Sequence, residues 1–225
     1  MQYFAYLCVM KPTLIIFDFD GTLCDTRHNI VLTFRDTVER LGLEPRTDEA
    51  FAATIGLTLY DGFRRLYPAM SHHEAEHCVD IYRAIFAEHR KERIPELFPA
   101  VRETLDELRR RGYRMSIASS RLSDSLRLFL GEHKLTDYFE FIVGSDSTTR
   151  HKPDAEPVEL SLRHFALAAD EAYVVGDMPV DIAMAHNAGV RACGVTYGNA
   201  TREELCSANA DAIIESFAEL LGLLE

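Results

Sequence analysis

Residues 14–21, Leu-Ile-Ile-Phe-Asp-Phe-Asp-Gly, constrain this chain more than any other stretch. Leu14 to Phe17 are branched or aromatic and uninterrupted, so they read as a buried strand. That strand runs into two carboxylates two residues apart. Alternation aims Asp18 and Asp20 the same way. Two like charges side by side repel, and a fold gains nothing structural from them. A divalent cation removes the repulsion, and carboxylate oxygens are the ligands Mg²⁺ prefers. Gly21 permits a sharp turn and lets backbone N–H groups approach a ligand. The bland alternative is a solvated strand end, and the downstream residues decide against it.

From Asp25 to about Leu41 the apolar residues Ile30, Phe34, Val38 and Leu41 recur at helical spacing, and Gly42 is a stop. Residues 47–93 contain no convincing strand. Thr47 can cap a helix through Ile55; Leu59, Phe63 and Leu66 suggest another; Ser71 to Glu74 is a capping box opening a long helix to about Arg93. Residues 26–93 are therefore an all-helical insert. After Pro95 the texture changes. Strands are expected at 114–118, 139–143, 172–176, 190–195 and 212–214, with helices between them. That alternation predicts an α/β fold, a parallel sheet covered on both faces. Ligands in such sheets bind beyond the carboxyl ends of the strands. Asp18 and Asp20 fall there, as do Ser119, Lys152 in a polar loop, and Asp177, with Asp181 one helical turn further on.

Composition narrows the partners. The 225 residues are 47% hydrophobic and 27% charged, as expected of a globular protein with room for a core and a smaller domain. A formal charge of −12 argues against nucleic acid as a partner. Five scattered cysteines without C-x-x-C spacing suit reduced thiols in a cytoplasmic protein. No apolar run approaches the roughly 20 residues of a membrane span. Residues 1–10 form an apolar extension without the basic start or cleavage site of a signal peptide, and Met10 is expected to be the natural start.

The candidate residues suit phosphoryl transfer. Asp18 and Asp177 can hold Mg²⁺, the Ser119 hydroxyl and the following Ser120 N–H can donate to phosphate oxygens, and Lys152 adds positive charge. One carboxylate can attack phosphorus, and another can serve as acid and base for the leaving alcohol and the hydrolytic water. Surplus negative charge is expected to raise the carboxyl least engaged with metal, taken to be Asp20, and to keep it protonated when substrate is bound.

Asp18-x-Asp20-Gly-Thr-Leu, Ser119 after a strand, Lys152-Pro153 and Gly176-Asp177-x-x-x-Asp181 resemble the four motifs of the haloacid dehalogenase superfamily. The resemblance spans the whole core and is most similar to the phosphoglycolate-phosphatase-like subgroup with a helical cap. It implies a Rossmann-like core over 11–25 and 94–225, with 26–93 as cap. It implies Asp18 as nucleophile and metal ligand, and Asp20 as acid/base lending its backbone carbonyl to Mg²⁺. Ser119, Ser120 and Lys152 would bind phosphate, and Asp177 the metal, with Asp181 helping directly or through water. The implied reaction is hydrolysis of a small phosphomonoester through an aspartyl-phosphate. The alternatives are a nucleotidase, a sugar-phosphate mutase and, outside catalysis, a phosphate-binding relative. Ile30 stands where the mutases carry a cap-entrance histidine. The cap's single lysine, Lys91, lies at its far end, unlike the Schiff-base lysine of phosphonate hydrolases.

Other signals weigh less. His73-Glu-Ala-Glu-His77 matches H-E-x-x-H but opens a helix and lacks a distinctive third ligand, so a surface pair is expected rather than zinc. Arg64 and Arg65 read as a solvated face, with contact to a second substrate anion as the alternative. Arg121 is a candidate phosphate neighbour. Cys24 reads as packing. Oligomeric state is not legible.

Overall fold

The computed structural model describes residues 12–224. The expectations for residues 1–10 and for Met10 as start lie outside them.

Six strands form one parallel sheet: β1 (Leu14–Phe17), β2 (Arg114–Ala118), β3 (Phe141–Val143), β4 (Ala172–Gly176), β5 (Arg191–Val195) and β6 (Ala212–Ile214), in spatial order β3-β2-β1-β4-β5-β6. The α/β fold with a Rossmann-like parallel sheet is therefore as expected. β1 is central, with Ile16 opposite Ser116 of β2 on one side and Val174 of β4 on the other. The chain builds outward from β1 to β3, then returns to β4 and builds the other way. The crevice opens where that order reverses, at the carboxyl end of β1.

Alternation along β1 serves both faces. Ile15 and Phe17 enter a core completed by α5 (Val101–Arg110), α6 (Ser123–Glu132) and α10 (Leu220–Leu223). Leu14 and Ile16 enter a second core with α7 (Glu156–Phe165), α8 (Pro179–Asn187) and α9 (Arg202–Ser207). Burial on both faces explains why β1 shows an unbroken apolar run instead of alternating polarity.

Between β1 and α5 lie four helices, α1 (Arg27–Arg40), α2 (Asp48–Ala52), α3 (Leu59–Leu66) and α4 (His72–His89). They bury their own apolar cluster around Phe34, whose ring stacks on Phe51 at 5.4 Å and meets Phe63 and Tyr82 at 5.1 and 4.9 Å. The two connectors to the sheet run side by side: the Asp25 N–H donates to the Glu96 carbonyl at 2.8 Å, and Asn29 Nδ2 to the Arg93 carbonyl at 2.9 Å.

Boundaries differ where tertiary contacts override local propensity. α2 stops at Ala52, short of Ile55, because residues 53–58 turn through Gly56, whose φ of +92° ends any helix. α4 stops at His89, and Arg93 turns back to pair with Asp36 at 2.9 Å. β3 begins at Phe141 because Phe139 leaves the ladder to pack edge-on against Phe17. α9 was not anticipated, although Thr201 and Glu204 form its capping box.

Candidate active site

β1 ends at Phe17, but the Asp18 N–H still donates to the Val175 carbonyl at 2.9 Å, so Asp18 is fixed as rigidly as the strand. Lys152, arriving from the loop after β3, donates to Asp18 Oδ1 at 2.5 Å and to Asp181 Oδ1 at 2.6 Å. Asp181 sits in the first turn of α8 and also accepts the Met178 N–H at 3.0 Å through Oδ2. Asp177, directly after β4, completes a buried group in which one carboxylate oxygen each of Asp18, Asp177 and Asp181 lie within 4.8 Å of one another. The structure thus brings Asp18, Lys152, Asp177 and Asp181 to one point from three strand ends.

Electrostatics there are unbalanced. Burial pushes the Asp18 carboxyl up to about 7, with Lys152 opposing and Asp181 and Asp20 adding to the rise. Burial, then Asp181 and Asp18, raise Asp177 well above the usual carboxylate range, and Asn199 works against them. Burial opposes the charge on Lys152, but Asp18 and Asp181 outweigh it and hold the ammonium charged. With all three buried carboxylates ionised, one ammonium would leave two negative charges uncompensated, which is why Asp18 and Asp177 hold their protons firmly without a metal. That shortfall, in an all-oxygen donor set, is what a hard divalent cation would fill. Asp18 keeps one oxygen without a hydrogen-bond donor and Asp177 Oδ1 has only a long contact of 3.4 Å from Thr22, whereas Asp181 accepts from Lys152 at 2.6 Å and from the Met178 N–H at 3.0 Å.

Asp20 follows a different course. Arg121 Nε donates to its two oxygens at 2.7 and 2.8 Å, and the guanidinium lies 4.9 Å from the Phe129 ring centroid and 5.4 Å from that of Phe86. The expectation that Asp20 is kept protonated concerns the substrate-bound site; in the protein alone Asp20 is paired with Arg121. Asp20 has a buried cation as partner, and burial places the strain on Asp18 and Asp177. Arg121, a candidate phosphate neighbour by sequence, is a carboxylate partner here. Nothing local in the sequence announces a pairing across 101 residues.

Ser119 and Ser120 leave β2 beside the same cavity as Asp18 and Asp20. The Ser119 hydroxyl accepts the Arg121 N–H at 3.3 Å, whereas the Ser120 hydroxyl donates to the Gly56 carbonyl at 2.6 Å and ties the helical layer to the sheet edge. The Ser119 hydroxyl therefore keeps its own donor for a phosphate, whereas Ser120 has only its backbone N–H to offer. His73 and His77 are exposed, and among the described residues the only cluster of three or more potential metal ligands is Asp18, Asp177 and Asp181. Arg64 and Arg65 do not line the cavity. Cys24 is buried, and burial pushes its thiol up to about 12, which leaves it inert.

Sequence reasoning missed the support for Asp177. Asn199 donates to its Oδ2 through the backbone N–H at 2.7 Å and through Nδ2 at 2.8 Å, and Thr22 donates to Oδ1 at 3.4 Å. The loop after β5 reaches the same carboxyl edge, which was the available signal. Gly198 allows the approach: a Cβ there would lie 2.4 Å from both the Asp177 Cβ and the Gly21 carbonyl oxygen. Gly198→Ala is expected to cost about 2–4 kcal/mol by displacing this loop and to cut kcat at least about tenfold. Urea unfolding and steady-state rates check both figures.

A family model of haloacid dehalogenase-like hydrolases matches residues 15–195. The chain is 35% identical to "Probable phosphatase IndB" of Dickeya dadantii, covering 95% of this chain and 93% of that one. It is 31% identical to the pyrophosphatase PpaX of Bacillus velezensis, over 95% and 96%. The crystal structure of a haloacid dehalogenase-like hydrolase candidate from Bacteroides fragilis superposes with a TM-score of 0.89 at 33% identity, covering 93% of this chain and all of that one. The chain belongs to the haloacid dehalogenase-like hydrolase family. It is an enzyme of that family's phosphatase kind. No helix among the described residues is long and apolar enough to cross a membrane.

Proposed function

We propose that the protein is a cytoplasmic Mg²⁺-dependent phosphomonoesterase acting on small phosphorylated metabolites through an aspartyl-phosphate, with residues 26–93 as a cap over a core of 11–25 and 94–225. The observation that carries this reading is the two-charge deficit around Asp18, Asp177 and Asp181, set beside Ser119 and Asp20 on one cavity. Asp18 and Asp177 would hold the ion, together with the Asp20 backbone carbonyl, and Asp181 would act through Lys152. When bound, Mg²⁺ neutralises phosphate oxygens and makes the approach of a carboxylate tolerable.

The chain's own residues do the rest. Lys152 and the Ser119 hydroxyl bind the phosphoryl oxygens, and Lys152 holds Asp18 in position. Asp18 attacks phosphorus; the bond from phosphorus to the ester oxygen breaks, and Asp20 supplies the proton that the departing alkoxide takes up. Asp20 then accepts a proton from water. The resulting hydroxide attacks phosphorus, the bond to Asp18 breaks, and inorganic phosphate leaves with Asp18 restored. This role requires the Asp20 carboxyl to part from Arg121 Nε. The resemblance leaves the alcohol open, from phosphoglycolate to a nucleoside.

Phosphate release from a panel of monoesters is expected to fall below about 1% after EDTA treatment and to return with excess Mg²⁺. Release that is indifferent to EDTA would sink the metal-dependent reading.

A further inference from the structure

The cavity between the helical layer and the sheet edge has a volume of about 690 Å³ and is continuous with Asp18, Asp20 and Ser119. Sites of about 300–1,000 Å³ hold ligands of drug size. A two-carbon acid or a second phosphate would leave most of this space to water. Its walls are also wrong for such a ligand. Ile55, Leu57, Leu59, Tyr82 and Phe86 line it. Against these five residues a fully ionic leaving group would lose hydration without gaining partners, and only the unpaired arginines of the cavity, Arg83 and Arg90, offer it charge.

The apolar wall is held next to the phosphate position. The bond from the Ser120 hydroxyl to the Gly56 carbonyl pins the turn that carries Ile55 and Leu57 onto the serine loop. At Gly56 a Cβ would stand 3.1 Å from Val180 Cγ2, so the turn also rests against the start of α8. An alcohol on the phosphoryl group that extends into this cavity therefore has Ile55 and Leu57 among its walls. Leu128 also lines the cavity, yet the residue is 48% exposed, an apolar surface only partly covered by the protein itself. Arg83 and Arg90 line the cavity too, without a carboxylate partner among the described residues. Unpaired guanidiniums pair with carboxylates and phosphates, and they also stack on a π-face or donate to a carbonyl-bearing edge; a plain alkyl chain offers none of these.

Resting on the phosphatase reading and extending it, we propose that the substrate is a monophosphate of an aromatic or heteroaromatic ring-bearing alcohol. Its ring packs on Ile55, Leu57 and Phe86, and its polar edge faces Arg83 and Arg90. Phosphoglycolate and pyrophosphate are then poor substrates, because neither has apolar surface to bury against Ile55, Leu57 and Phe86.

Two measurements test this. In the first, kcat/KM is compared for phosphoglycolate, pyrophosphate, 1-naphthyl phosphate, pyridoxal 5′-phosphate and nucleoside monophosphates. At least one ring-bearing ester should exceed phosphoglycolate and pyrophosphate by about tenfold or more. In the second, calorimetry compares 1-naphthylmethylphosphonate with methylphosphonate on the Mg²⁺-loaded protein, which needs no turnover. The ring compound should bind about tenfold or more tightly, and Leu57→Ser should shrink that ratio at least about fivefold. Equal Kd for the two phosphonates, or a ratio unmoved by Leu57→Ser, overturns the proposal. A preference for phosphoglycolate or pyrophosphate over every ring-bearing ester overturns it as well. Phosphate release from no ester, with the Kd ratio intact, would instead overturn the phosphatase reading and leave the pocket assignment standing.

Discussion

Replacing Asp18 by Asn should abolish turnover and, without metal, make the protein more stable. Asparagine keeps the shape and an oxygen for Lys152 Nζ, which lies 2.5 Å from Asp18 Oδ1, but it cannot attack phosphorus. The expected loss in kcat is at least about 10⁴-fold. The stability gain follows from linkage. Burial raises the Asp18 carboxyl from 3.8 to about 7, so the folded state binds its proton more tightly than the unfolded chain does. The stability this confers is fully present below the unfolded value and is lost as pH rises through the folded one. For the metal-free protein, this group alone takes away about 2.5 kcal/mol between pH 5 and pH 8. At pH 8 the Asn variant escapes a penalty of up to about 4 kcal/mol, so its melting temperature should exceed that of the EDTA-treated parent by at least about 5 °C. Excess Mg²⁺ should stabilise the parent by up to about 4 kcal/mol and the variant far less, closing the gap. Thermal unfolding at pH 5 and pH 8, with EDTA and with Mg²⁺, reads all of this. A variant no more stable than its metal-free parent at pH 8 would mean that the charge deficit is not felt by the fold.

The opposing effects show why this site was legible before any coordinates. A buried strand ending on Asp18 and Asp20 conflicts with stability, and such conflicts mark function. Strand–helix alternation then fixed where Ser119, Lys152 and Asp177 had to fall, because parallel strands share a carboxyl edge. What stayed hidden was non-local. Arg121 meets Asp20, and Asn199 meets Asp177, only once the sheet order β2-β1-β4-β5 is assembled. Ser120 was legible as a backbone donor, but nothing near it indicated that its hydroxyl is held by Gly56. Helix ends were misjudged where a single glycine or an ion pair, at Gly56 and at Arg93, decided against propensity.

The second large effect belongs to Lys152, whose side chain is 1% exposed between Asp18 and Asp181. Its removal differs in kind from the loss of a surface pair. Two buried carboxylates would remain with no cation, and breaking a buried pair from one side costs about 3–5 kcal/mol. Lys152→Ala is expected to lose that much at pH 8 without metal, and to regain part of it at pH 5, where the carboxyls can take up protons. Lys152→Met with Asp181→Asn keeps the volume and removes one of the stranded charges. It should recover at least about half of the loss while remaining inactive, because no ammonium is left to bind phosphate. If the double variant is as unstable as Lys152→Ala, packing and not charge sets the cost. Lys152 would then be a spacer whose charge serves only the substrate. Recovery of stability without recovery of activity would separate the two duties of one side chain: balancing Asp18 and Asp181 in the empty site, and exchanging part of that bond for phosphate oxygens when substrate enters.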